Sequence, residues 1–158
     1  MGDYTSARAM VRGELLALFS TVEGITFRER IAPQGGKPHG VWKVIDTAVE
    51  QDPKREAGKI ETTQCMLELR YTAQATEIDD LTDTLLQSVR AALFTYRASS
   101  SDGAVGYDAG TEWGTMVGFE IETYHPRIKD GANGMVDATT FILFIAQYRR
   151  STSRKGKP

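Results

Sequence analysis

Hydrophobic and polar positions along the chain fall into two helical stripes and a series of alternating stretches. Ala7, Met10, Val11, Leu15, Leu18 and Phe19 recur at three- and four-residue spacing, which predicts an amphipathic helix over Ser6–Phe19. Thr5 or Ser6 is placed to cap its first turn, and Gly24 ends the region as a C-terminal cap or in the loop just after it. Gly13 costs the helix about 1 kcal/mol relative to alanine, so it marks a close packing contact. The second stripe, Ile78, Leu81, Leu85, Val89, Ala92 and Leu93, predicts a helix over Thr76–Tyr96. Thr76 with Asp79 resembles a capping box. Glu77, Asp79 and Asp80 suit the helix's positive end, and Arg90 and Arg97 its negative end.

Strands are read where the period is two. Ile25–Ile31 is a half-buried or edge strand, and Val41–Val49 is the next. Ile60–Thr72 has the clearest alternation: Cys65, Leu67, Leu69 and Tyr71 should face the helices, leaving Gln64, Met66, Glu68 and Arg70 to solvent or a partner. Two long segments, Glu112–His125 and Met135–Arg149, follow. In the last, Phe141, Leu143 and Ile145 alternate with Ile142, Phe144 and Ala146, so both faces are apolar, as in a central strand or one covered by another subunit. Between the strands lie the Gly/Pro-rich loop Ala32–Gly40, the polar stretch Glu50–Lys59, the connector Ala98–Gly110 and the linker Pro126–Gly134. The linker holds two hairpin-turn signals, Asp130-Gly131 and Asn133-Gly134. The expected fold is α+β, with a mixed, mainly antiparallel sheet of about five strands, two helices on one face and a long C-terminal hairpin.

With 158 residues the chain suits one domain, read as residues 1–150, followed by a flexible basic tail at 151–158. The net charge of −2 hides an asymmetry. The last ten residues hold five of the 19 basic side chains and no acid, leaving 14 against 21 acids, a net −7, in the body. An acidic body argues against a domain built to bind nucleic acid, although the tail could touch phosphates. One cysteine, Cys65, excludes an intrachain disulfide and reads as a small buried side chain. Gly2 with Ser6 meets the myristoylation spacing only superficially, there is no apolar signal region, and no apolar run reaches membrane-spanning length.

Candidate chemistry is sparse. Gly35-Gly36-Lys37 resembles a phosphate loop faintly, but Pro38 stands where Ser or Thr should follow the lysine. His39 and His125 are isolated and form no zinc pattern. Ser99-Ser100-Ser101-Asp102 reads as loop, and no nucleophile elbow is present. Glu120 and Glu122 share one strand face and could form a carboxylate pair, but a solvated or channel-facing strand explains them more simply. The expectation is therefore a protein that is not an enzyme, with no catalytic, cofactor or metal residues.

The order of elements resembles the tail terminator, or tail completion, proteins of long-tailed bacteriophages. The stretches that carry the resemblance are Ser6–Phe19, Met66–Ala73, Ile78–Leu93 and the closing strand Thr140–Tyr148, together spanning about residues 5–149. The resemblance implies a structural virion protein of the tail or neck, assembled in the host cytoplasm. It implies a homohexameric ring that caps the tail tube, ends its polymerisation and joins it to the head-closure connector, with DNA passing transiently through the channel. Partners would be further copies of the chain, the tail tube protein and the connector, with no membrane. Such a ring needs a head-to-tail interface. Candidate contacts with subunits or partners are Gly35, Gly36, Lys37, Asp130, Asn133, Phe141, Leu143 and Ile145; Glu120 and Glu122 are the candidate channel-facing acids. Rival readings are another neck or tube component, a small enzyme or ligand-binding domain using Glu120, Glu122 or His125, and a nucleic-acid binder using the tail.

Overall fold

Packing starts at Phe19, whose ring stacks on Phe27 at 4.4 Å and meets Trp42 and Phe144 at 5.9 and 6.4 Å. One side chain thereby ties the first helix to three strands. The computed structural model describes residues 4–30, 38–45, 60–96 and 105–152. Their order is α1 (Ala7–Ser20), β1 (Thr26–Glu29), β2 (His39–Val44), β3 (Ile60–Gln74), α2 (Ile78–Thr95), β4 (Gly106–Ala109), β5 (Glu112–Asp130) and β6 (Met135–Thr152). The strands form one sheet in the order β1-β2-β3-β6-β5-β4, curled into a half-barrel. The pair β1/β2 is parallel and the other pairs are antiparallel.

The α+β class and the two helices agree with the sequence reading, but the sheet has six strands rather than about five. The added strand, β4, lies in what reads as connector, because its four residues, Gly-Tyr-Asp-Ala, carry too short a pattern to register. Its outer edge is closed by Tyr4, which accepts from Asp108 N at 2.9 Å and donates to Gly106 O at 3.2 Å. The hairpin is also longer than expected. Residues 126–130 continue β5, and only Asn133-Gly134 makes the turn, both at positive φ, with Met135 N donating to Ala132 O at 3.1 Å. β6 runs to Thr152, two residues past the expected domain boundary. The expectations for residues 46–59, 98–104 and 153–158 lie outside the described residues.

Both helices pack on one sheet face. Met10, Val11, Leu15 and Phe19 of α1, and Ile78, Leu85, Leu86, Val89 and Leu93 of α2, bury against Leu67, Leu69, Ile142, Phe144 and Ala146. Ser6 caps α1, accepting from Ala9 N at 3.0 Å. Thr76 does not cap α2. The N-cap position is Glu77, in a helical conformation and without a side-chain cap bond, because the turn Gln74–Glu77 enters the helix directly. Arg90 also lies short of the last turn of α2, which holds no basic residue. Thr82, unremarkable in sequence, is buried. It donates to Ile78 O, and its hydroxyl shares a chain of hydrogen bonds with Tyr71 and Thr140 at 2.7 and 2.8 Å, joining α2, β3 and β6.

Gly13 is the close contact its position implies: a Cβ there would lie 2.4 Å from Tyr4 Cε1. The tyrosine ring crosses α1 at this point and its hydroxyl donates to Glu14 at 2.8 Å. Tyr96, just past α2, donates to the other oxygen of Glu14 at 2.5 Å. One carboxylate thus clasps the N-terminal segment and the end of α2 to α1. At the far end of β6, buried Arg150 bridges Glu61 (3.2 Å) and Glu112 (3.3 Å), and Glu112 accepts from Tyr107 at 2.7 Å. Arg150 is therefore a packed member of the sheet rather than part of a basic tail.

Two predictions follow from these contacts. Gly13→Ala should destabilise the fold by about 1–3 kcal/mol in chemical denaturation despite its better helix propensity. In a Tyr4→Ala background the same change should become neutral or stabilising. Second, burial, and then the bonds to Glu14 and Glu112, raise the pKa values of Tyr96 and Tyr107 above their ordinary 10.0. These phenols keep their protons in the folded state where the unfolded chain has lost them. Their contribution is whole below pH 10.0 and is lost as pH rises beyond it. Alkaline denaturation midpoints should fall less steeply in a Tyr96→Phe, Tyr107→Phe variant.

Candidate interaction surfaces

The helix-free face of the sheet is built by residues that alternate with the core. Cross-strand register aligns Lys43, Met66, Leu143 and Thr123 in one row and Val41, Glu68, Phe141 and His125 in the next. Phe141, Leu143 and Ile145 are half-buried here, whereas Ile142, Phe144 and Ala146 on the opposite face are wholly buried. The two-faced apolar pattern therefore marks the central strand. Charged side chains frame the stripe: Arg70 pairs with Glu68 at 3.0 Å, and Arg127 stands 5.4 Å over the Phe141 ring. A cleft of about 490 Å³ opens beside it, lined by Arg30, Val41, Lys43, Ile45, Met66 and Glu68.

The two candidate acids do not share a register. Glu120 pairs across with Ile145 and accepts from Gln147 at 3.2 Å, but Glu122 falls in a β-bulge between Ile121 and Thr123. The bulge inserts one residue, so Thr123 rather than Glu122 takes the next position opposite Leu143. A carboxylate pair built on strand alternation is thus replaced by one acid on the helix-free face and one at its edge. Glu120 and Ile145 are direct neighbours, so the channel-facing and subunit-contact roles expected of them compete for one surface. Asp130 and Asn133 are exposed together at the hairpin tip. Gly35, Gly36 and Lys37 lie outside the described residues.

Beyond Met116 no described strand pairs with the outer edge of β5, although β4 and Val105 cover its beginning. Two clefts of about 420 Å³ run along this edge and share Arg90 and Ile121. Near it lie exposed apolar side chains: Val117 and Tyr124 of β5, Ile128 toward the tip, and Phe94 of α2, which is 88% exposed. Tyr124 and Ile128 stand opposite buried Ile142 and Ala138, so they project on the helix side. Ile128 falls in residues 126–134, which read as linker, and the face of Tyr124 is displaced by the bulge at Glu122, which alternation alone does not reveal.

Among the described residues, Cys65, His39 and His125 are not brought together. Cys65 is wholly buried and burial pushes its thiol up to about 12, which disfavours the nucleophilic thiolate. His39 opens β2 next to β1, and His125 lies on β5, three strands further across the sheet. Among the described residues no group of three or more His, Cys, Asp or Glu could hold a metal ion, and no helix is long and apolar enough to cross a membrane. The chain matches no protein-family model and no curated protein.

The two faces of β6 differ in a measurable way. Phe144→Ala should cost about 3–5 kcal/mol in chemical denaturation, whereas Leu143→Ala, on the helix-free face, should cost about 1 kcal/mol in the separated subunit. Equal losses would show that the helix-free face is already covered.

Proposed function

We propose that this chain is a structural protein of a long-tailed bacteriophage virion, a tail terminator. It forms a homohexameric ring that caps the tail tube, stops its growth and joins it to the head-side connector. The observation that carries this reading is the one-sided sheet. Both helices cover one face, while the opposite face keeps a half-buried apolar stripe and no described strand pairs with the outer edge of β5 beyond Met116. The sheet's two ends, β1 on one side and β5 with β4 on the other, present different edges, as a head-to-tail ring requires. The element order of the tail-terminator family supports the same reading.

In this arrangement the helix-free face, with Glu120 on it, turns toward the channel through which DNA passes, and the helices turn outward. The exposed hairpin tip with Asp130 and Asn133 suits an axial contact with tube or connector. A related tube or head-closure protein is the nearest alternative, and assembly behaviour separates the two.

The test is the solution mass of the purified protein, followed by images of it mixed with tail tubes. A closed ring, or density confined to one tube end, is expected. Open-ended cylinders would indicate a tube protein. A strict monomer that ignores tube ends would overturn the reading.

A further inference from the structure

We infer that neighbouring copies join edge to edge, with β1 of one copy pairing antiparallel to β5 of the next, along the outer edge beyond Met116 where no described strand pairs. This rests on the ring reading and specifies its interface. Four features of the sheet's two ends agree.

The first is strand direction. β1 and β2 run together, and each later neighbour in the order β2-β3-β6-β5 reverses, so β1 and β5 run oppositely within one subunit. Copies placed side by side around a ring therefore bring β1 antiparallel to β5. The second is level. Register rows carry Thr26 through His39, Arg70 and Thr139 to Arg127, and Glu29 through Trp42, Leu67 and Ile142 to Tyr124. β1 thus stands at the height of residues 124–127, where no described strand pairs with the outer edge of β5, and clear of β4.

The third is charge. Arg28, at one end of the helix-free face, and Arg30 just beyond β1 are both exposed. At the other end stand the exposed acids Glu120 and Glu122. Arg30 N donates to Trp42 O, so it falls one step past Glu29, level with Thr123 and beside the bulged Glu122. Arg30 beside Glu122 favours this register, whereas Arg28 comes level with His125 and two residues from Arg127, so Arg30 alone carries the charge match. The fourth is the helix side of the joint. Phe27 of one copy comes level with Pro126, between the exposed Tyr124 and Ile128 of the next. The joint then has an ionic side and an apolar side, and it removes the long open edge that would otherwise invite indiscriminate pairing.

Cysteine cross-linking of the full chain tests this cleanly, because the native Cys65 is buried. Arg28→Cys is combined in turn with Glu120→Cys, Thr123→Cys and His125→Cys. Under oxidation at least one double variant should give a ladder of covalent multimers, while each single variant should stop at dimers. A second arm uses charge. Arg30→Glu and Glu122→Arg should each raise the concentration needed for assembly about fivefold, and together they should restore it. An oligomer in which no double variant cross-links would overturn the β1–β5 joint while leaving the ring standing. So would single variants that link as efficiently as the doubles, since that pairs like edges. A monomer at every concentration that also ignores tube ends would overturn both.

Discussion

Everything in this fold depends on β6 being fully paired on both sides. β3 holds it along Ile60–Gln74 and β5 along the opposite edge, so the backbone polar groups of its central stretch find partners within the sheet. Only such a strand can carry Ile142, Phe144 and Ala146 at zero exposure without stranding N–H and C=O groups in an apolar interior. That apolar row is the floor on which both helices rest. Phe144 meets Phe19 of α1 and Phe119 of β5, and Phe119 meets Tyr96 beyond α2, so one aromatic chain spans the core.

Polar contacts then fix what the apolar floor leaves free. The Tyr71–Thr82–Thr140 hydroxyls set the position of α2 along the sheet, and the carboxylate of Glu14 holds Tyr4 and Tyr96 together. Arg150, between Glu61 and Glu112, secures the other end. Burial works against its charge, but the two carboxylates outweigh it and raise its pKa. These closures are unevenly placed. Tyr4 and β4 shield the start of the β5 edge, and nothing described shields the remainder. The exposed edge, the two clefts along it and the exposed apolar residues near it come from that single asymmetry.

Alternation within a strand and stripe spacing within a helix are local consequences of backbone geometry, so the sequence alone determined both helices, the core face of β3, the buried Cys65 and the tight contact at Gly13. It also separated Phe141, Leu143 and Ile145 from Ile142, Phe144 and Ala146 as opposite faces of one strand. Whatever depends on a partner distant in the chain was decided only in three dimensions. β4 exists because Gly106–Ala109 lies against Glu112–Thr115 and is closed off by Tyr4. The bulge that parts Glu120 from Glu122 shows only against the register of β6, and the parallel placement of β1 puts Arg28 and Arg30 at the far end of the helix-free face. An edge becomes a surface only once its neighbours are known, because pairing is a long-range constraint that local periodicity does not encode.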